Sequence, residues 1–551
     1  MDNYDISSRL GLYARLAELH DENPFRVKAF AAAAFNLKKI KEPIRNMPAE
    51  DLATLPGVGK SVLQSVSDLL STGSFPALDQ AIAKTPEGVM DMLRIKGLGP
   101  KKVQAIWRNM GIESVEELFD ACRENRLVSQ PGFGLKTQAE VMRAIEFSLG
   151  ARGKFHFSRV EKPAKDLVTS IKREFPHCRV ELTGAVRRCC EVIEKIEVLT
   201  SLTTDECLQI SKGLGLEHTA GGTFTDVNGF IYEILHCTYA EFNTRWFETT
   251  ATPDHLQELG YKSGMSVSSE AELYQSFNLP FIEPEMREGQ GEVQRMKQGL
   301  GGKLLEYGDL KGILHNHSTY SDGLHSLEEM ARHAQSLGYG YLAICDHSRS
   351  AAYANGLQTE RLLAQIEEIR TLNQSMAPFR VFAGVESDIL QDGSLDYPDE
   401  ILAQLDLVVA SVHSNLKMDK EKATRRLQVA IENPFTTILG HPTGRLLLVR
   451  EGYPIDHAYI VDCCAANGVS IELNANPFRL DLDWRWITYA MEKGVMVGIN
   501  PDAHAKEGYH DMYYGTLAAR KGGLTREMCL NALPLEEFTN WLQRRRSSHM
   551  A

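Results

Sequence analysis

Seven short apolar runs rich in β-branched residues punctuate the C-terminal half of this chain, with helical patterns between them. They read Lys311–Leu314, Tyr341–Cys345, Arg380–Ala383, Leu407–Val412, Thr436–Leu439, Val469–Leu473 and Val495–Ile499. Near-continuous apolar runs of this kind are the mark of parallel strands buried on both faces. Alternating with helices, they predict a (β/α)7 barrel, one repeat short of the usual eight. Functional groups in such barrels gather where the strands end.

Nine side chains that bind metals stand at or just beyond those ends. His315 and His317 follow the first run, with Asp322 close behind. His347 follows the second, Glu386 the third, His413 the fourth and His441 the fifth, and Asp502 and His504 follow the seventh. The sixth ends at Asn474, which is placed to hydrogen-bond a ligand or substrate. Imidazoles and carboxylates without thiolates suit Mn²⁺, Zn²⁺ or Fe²⁺ alike, and nine donors exceed what one ion can use. A polynuclear hydrolytic centre is expected, with Arg349 and Arg445 either holding substrate phosphate or lying on the surface as ordinary residues. His325, His333, His457 and His510 lack this placement and are read as structural.

The first 150 residues read as helices joined by glycine-rich turns. Leu55-Pro-Gly-Val-Gly-Lys60 and Ile95-Lys-Gly-Leu-Gly-Pro-Lys-Lys102 each open a helix, and Gln130-Pro-Gly-Phe-Gly-Leu-Lys136 is a weaker copy. Gly57, Gly59, Gly97 and Gly99 would let backbone approach a phosphate without a Cβ in the way. The N–H groups of the following helix start, with Lys60, Lys101 and Lys102, would supply positive charge. The same glycines would also serve ordinary αα-hairpin turns. The repetition resembles the helix-hairpin-helix motif of sequence-independent DNA binders.

Charge limits how far such a grip can extend. The chain has a formal net charge of −13, yet residues 1–150 hold 19 basic and 19 acidic side chains, so the whole excess lies beyond them. DNA contact must therefore be local. The ten cysteines form no C-x-x-C pair, which is thiol usage rather than a disulfide framework. No apolar run approaches roughly 18 residues, and the opening Met1-Asp-Asn-Tyr-Asp5 is polar and acidic. A cytoplasmic protein is expected, with no membrane partner and no obligate protein partner.

Between these regions lies an α+β stretch containing Leu182-Thr-Gly-Ala-Val-Arg-Arg-Cys-Cys190 and Lys195-Ile-Glu197. It resembles family X DNA polymerases, in which a G-S-x-R-R loop cradles the nucleotide and a D-x-D strand holds the catalytic metals. Here Gly184, Arg187 and Arg188 match, but Ala185 replaces the Ser, and Lys195 and Glu197 replace the two Asp. Glu233 in Phe230–Leu235 stands for the third Asp, and Trp246–Thr250 replaces the T-G-S segment. Two-metal phosphoryl transfer needs clustered carboxylates, so nucleotide addition is expected to be absent or feeble. Arg187 and Arg188 are either solvated at the surface or retained to grip phosphate. Leu279–Glu288 resembles the end of that family's domain, so the fold is expected to persist.

The C-terminal segments His315-Asn-His317, Cys345-Asp-His347, Gly384–Asp388, Ser411-Val-His413, Gly440-His-Pro442 and Asn500–His504 resemble the PHP (polymerase and histidinol phosphatase) family. The resemblance implies three divalent ions, Mn²⁺ foremost. One would sit on His315, His317, Glu386 and Asp502, a second on Glu386, His413 and His441, and the third on Asp322, His347 and His504. Taken whole, the chain resembles bacterial family X polymerases with a C-terminal PHP domain. The expected fold is multidomain: a helical domain over 1–150, a polymerase-β-like palm and fingers over 151–300, and an α/β barrel over 309–551. The implied activity is metal-dependent hydrolysis at gapped, nicked or 3′-ended DNA, as a 3′→5′ exonuclease or 3′-end processing enzyme. An active polymerase with a PHP exonuclease, a histidinol-phosphate-type phosphatase and a non-catalytic repair scaffold are the alternatives.

Overall fold

The computed structural model describes residues 1–550 apart from 2, 39, 41–42, 55–56, 96, 124–125, 152, 220–221 and 266. Leu55, Pro56 and Lys96, which belong to two of the glycine loops, lie outside the described residues. The chain divides into two compact units, Met1–Arg152 and Gly153–Ala551. Among the described residues no helix is long and apolar enough to cross a membrane.

Among the described residues, the regular elements of the first unit are all helices. Asn23 caps the helix Pro24–Leu37 by accepting from the Phe25 N–H, and Pro24 fills the first turn, where its missing donor costs nothing. That helix packs on Asn3–Leu19 through Phe30 and Tyr13, whose rings meet edge-on at 4.6 Å, and Phe75, just before the helix Pro76–Ala83, meets Tyr13 edge-on at 5.3 Å. Two glycine loops lead into the helices Lys60–Thr72 and Pro100–Met110.

The second unit begins with short strands β1 (Phe155–His156), β2 (Val180–Leu182), β3 (Val192–Ile193), β4 (Ile196–Thr200), β5 (Glu217–His218), β6 (Thr223–Thr225) and β7 (Ile231–His236). β1 and β3 form a ribbon, and the others make one sheet in the order β2-β4-β7-β6-β5. Only β4 and β7 run parallel, in a register that sets Glu197 opposite Glu233. The helix Phe157–Glu174 covers this sheet with Val160, Ala164, Leu167 and Ile171, a spacing that repeats one helical face.

Seven parallel strands follow: β8 (Gly312–Ile313), β9 (Tyr341–Ile344), β10 (Arg380–Asp388), β11 (Leu407–Ser411), β12 (Ile438–Leu439), β13 (Ser470–Asn474) and β14 (Val497–Asn500). They lie in sequence order from β8 to β14, which makes a nearly closed barrel. A bridge from Asn316 to Ala503 draws its two edges together. Asn531 spans the remaining gap, donating to Gly312 O and accepting from Ile499 N. The sequence expectation needs one correction here: the third strand runs on through Asp388, so Glu386 lies inside a strand, not after it. A polar mid-strand residue is stable when it faces a polar interior, and Glu386 is fully buried there.

The barrel and the palm-like sheet share the second unit. Lys521, 3% exposed, donates from the barrel's helix Asp511–Lys521 to Arg188 O at 3.2 Å and pairs with Glu288. Beside it Arg520 pairs with Glu285 at 2.6 Å. His156 reaches Leu447 O at 3.0 Å.

Candidate metal centre

The strand ends bring all nine expected donors to one mouth of the barrel. Glu386 sits at the middle. His315 Nε2, His413 Nε2 and His441 Nε2 lie 3.2, 3.1 and 3.0 Å from its Oε1, and His347 Nδ1 lies 2.9 Å from its Oε2. His317 Nε2 is 3.0 Å from Asp502 Oδ1, and His504 Nε2 is 3.3 Å from Asp322 Oδ1. Three sets of donor atoms each fall within 4.8 Å of one another: His317, Asp322, His347 and His504; His315, His317 and Asp502; His347, Glu386 and His413. His317 and His347 thus each belong to two sets, a sharing that the three expected ion sites do not contain. His441 falls in none of the three sets but remains against Glu386.

Two observations fit these residues to cations. Imidazoles crowd one buried carboxylate, while His315 Nε2, His317 Nδ1, Glu386 Oε2 and His441 Nδ1 are buried without a hydrogen-bond partner. Leaving such atoms unsatisfied costs about 1–3 kcal/mol each, a cost that a coordinated ion removes. Second, the imidazoles recruit protons where the site demands positive charge. Burial alone would depress His413, but Glu386 and Asp388 push it up to about 10. His504 is likewise pushed up to about 9, against its burial, chiefly by Asp322 and Asp502. His317 goes the other way, to about 3, through burial and the neighbouring His504 and His347. Glu386 and Asp502 are held well below the usual carboxylate range; burial opposes this, and their imidazole neighbours outweigh it. His315 and Asp502 also adopt left-handed backbone, φ 60° and 52°. Such conformations cost non-glycine residues on the order of 1–3 kcal/mol and collect at functional sites.

Further residues shape the centre from behind. Glu472 on β13 meets His315 Nδ1 at 2.7 Å, and Asp388 on β10 meets His413 Nδ1. Asp346 accepts from Ser318, Ser321 and Gln365, and so ties the loop after β8 to the loop after β9. Asn474 donates to Asp502 Oδ2 at 3.2 Å, which matches its expected reach toward a ligand residue. Glu472 lies inside an apolar run, and its only sequence signal is that it is a charge in a buried strand. Arg445 is no surface residue: it is mostly buried, pairs with Asp483 at 2.7 Å and donates to Arg479 O. Arg349 is half-exposed and pairs with Asp396.

The polymerase-like site is arranged differently. Lys195 Nζ lies 2.5 Å from Glu233 Oε2 and 3.7 Å from Glu197 Oε1, between the two carboxylates that face each other across β4 and β7. Glu197 also accepts from Ala185 N at 3.0 Å, so closely that a Cβ on Gly184 would collide with its carboxylate. The arginines are not solvated at the surface: both are mostly buried and paired with acids distant in the chain. Arg187 pairs with Glu270, donates to Thr250 Oγ1 and lies 3.5 Å over the Trp246 ring. Arg188 pairs with Glu288 and donates to Thr250 O. Glu270, squeezed by burial but hydrogen-bonded to Arg187 and Arg287, is held down at about 2.

In the helical unit Gly57 and Gly97 take φ of 86° and 92°, and Gly59 and Gly99 precede the two helices with no side-chain cap. A Cβ on Gly57 would press on the Ala33 N at 3.1 Å, so glycine is needed there for close packing. Lys60 and Lys101 are exposed at the helix starts, whereas Lys102 bends back to Gly97 O at 3.3 Å.

Residues 1–75 match a helix-hairpin-helix domain, 89–146 a SAM-like helix-hairpin-helix tandem, and 314–475 the PHP domain. A probable phosphatase of Thermoanaerobacter sp. is 28% identical over 36% of this chain and 87% of its own length. One from Acetivibrio thermocellus is 27% identical over 42% of this chain and 95% of its own. The DNA polymerase/3′-5′ exonuclease PolX of Bacillus subtilis is 34% identical over 99% of this chain and 100% of its own length. Over its whole length, then, the chain belongs to the PolX family of family X DNA polymerases that carry a PHP domain.

Proposed function

We propose that the protein hydrolyses phosphoester bonds at DNA ends, as a 3′→5′ exonuclease or 3′-end processing enzyme, with the barrel as its only active centre. The observation that carries this is the contrast between nine convergent donors in the barrel and a lysine among the carboxylates of the polymerase-like site. Divalent ions held by the barrel donors would lower the pKa of water and draw charge from phosphate oxygens. Glu386 and Asp502 supply the negative charge that gathers such ions, and the imidazoles present lone pairs around them. The helix starts at Lys60 and Lys101 would hold the DNA backbone without reading its bases, which suits gapped, nicked or 3′-ended substrates. In the palm-like sheet the Lys195 ammonium fills the charge that a metal would bring, and Arg187 and Arg188 are committed to Glu270 and Glu288. That segment acts as a DNA-binding scaffold.

The test is direct. Purified protein with Mn²⁺ is incubated with end-labelled gapped DNA, with and without dNTPs. Shortening in both reactions is the expected result. Robust extension with dNTPs would replace this reading with that of an active polymerase.

A further inference from the structure

We infer that Glu472 and Asp388 are positioning residues that fix the tautomers of His315 and His413, so that each ring turns its Nε2 lone pair toward Glu386. The inference rests on the metal-centre reading above. Glu472 is fully buried and accepts four hydrogen bonds, two on each oxygen. Its Oε1 takes His441 N at 3.1 Å and Asn474 Nδ2 at 3.2 Å. Its Oε2 takes His315 Nδ1 at 2.7 Å and Asn500 Nδ2 at 2.9 Å. Four is the acceptor capacity of a carboxylate.

The orientation of each donor is fixed by its other contacts. Asn474 Oδ1 accepts from Asn476 N, and Asn500 Oδ1 accepts from Asn531 Nδ2, so both amides turn their NH₂ groups to Glu472. His315 Nδ1 must then donate, and in the neutral ring the lone pair lies on Nε2. That atom is buried, has no hydrogen-bond partner and sits 3.2 Å from Glu386 Oε1. With Nδ1 donating to Glu472, Nε2 is the atom left to face Glu386, and a cation held between the two would take its lone pair.

Asp388 repeats the device two residues beyond Glu386, on the same face of β10. It accepts from His413 Nδ1 and from Ser350 Oγ, the latter at 2.8 Å, and its own N–H donates to Ser348 Oγ. His413 Nε2 is thereby aimed at Glu386 from 3.1 Å. Hydrogen bonds of this kind hold a ring in the ligating tautomer and raise its basicity.

Glu472→Gln tests the larger case. A carboxamide has two acceptor sites for the same four donors, and its NH₂ would face two of them. The full-length protein is titrated with Mn²⁺ by calorimetry and by EPR of the free ion, alongside Asp388→Asn. Each variant is expected to bind Mn²⁺ about 10–100-fold more weakly than the unsubstituted protein. A purely structural role would instead lower the melting temperature of the metal-free protein and leave the affinity of the folded fraction unchanged. Unchanged affinity in both variants overturns the inference. Failure of the unsubstituted protein itself to bind Mn²⁺ overturns the metal-centre reading instead. If Glu472→Gln does not fold, the tautomer is read in the Zn²⁺-loaded, ¹⁵N-histidine-labelled protein. A proton on Nδ1 of His315 is expected there, and one on Nε2 would overturn the inference.

Discussion

The palm-like sheet and the barrel solve the same electrostatic problem in different ways. Each brings carboxylates close enough to repel: Glu197 opposite Glu233 on neighbouring parallel strands of the sheet, and in the barrel Glu386 of β10 and Asp502, just beyond β14, both against His317. The sheet neutralises its pair with Lys195, an ammonium that has no lone pair to give a metal. The barrel surrounds its carboxylates with imidazoles, which can carry a proton or release it and present a lone pair. The identity of the built-in cation therefore separates a site closed by its own side chains from one open to ions. Lysine holds charge permanently; histidine holds it on loan.

The largest effect that could break this comparison is in the barrel. Replacing His347 and Glu386 together with Ala should cut Mn²⁺-dependent DNA digestion by about 10³-fold or more, because the lost ligands remove several kcal/mol of charge stabilisation. Circular dichroism should still report a folded chain, since the apolar strands around the site are untouched. Digestion at an undiminished rate would take the barrel out of the chemistry.

How much of this could be read from sequence differs between the two regions for a physical reason. The barrel was legible because the donors cluster at or just beyond six of the seven β-branched runs, and parallel topology gathers strand ends whatever the details of packing. Lys195 was legible because a substituted ligand changes chemistry at a single position. The fates of Arg187 and Arg188 were not, because their acidic partners, Glu270 and Glu288, lie 83 and 100 residues away and local sequence gives no sign of them. Glu472 was hidden for a related reason: apart from Asn474 on its own strand, its partners come from β14 and from the loops after β8 and β12, and only the folded barrel brings them together.

Those long-range pairs make the palm-like segment a strut, which two stability measurements would sharpen. Lys521→Met should destabilise the second unit by about 3–5 kcal/mol in urea titration, since it leaves a mostly buried Glu288 with Arg188 as its remaining cation. A change below about 1 kcal/mol would mean that the barrel and the sheet are joined chiefly by apolar packing. Glu270 gives the slightly smaller effect, read against pH. Its folded-state value of about 2 lies below its ordinary 4.5, so its contribution is complete above about pH 4.5 and is lost as pH falls toward 2. The shift corresponds to about 3 kcal/mol across that window. Glu270→Gln should flatten the acid limb of the stability curve there, and an unchanged acid limb would show that Arg187 and Arg287 do not depend on this carboxylate.

The smallest expected effect is at the residue that closes the palm-like site. Lys195 is 42% exposed, so its ion pairs with Glu233 and Glu197 are screened by solvent and contribute on the order of 0–1 kcal/mol. Lys195→Ala should therefore leave stability nearly unchanged and DNA digestion within about twofold. It should not create primer extension either. Ala185 would still stand in the nucleotide loop, Arg187 and Arg188 would stay bound to Glu270 and Glu288, and the longer Glu197 would still be held by Ala185 N. Extension by Lys195→Ala in a primer assay would show that one ammonium alone had silenced the site. Digestion lowered tenfold would show that the sheet still works with the barrel, and the two sites would then be halves of one machine.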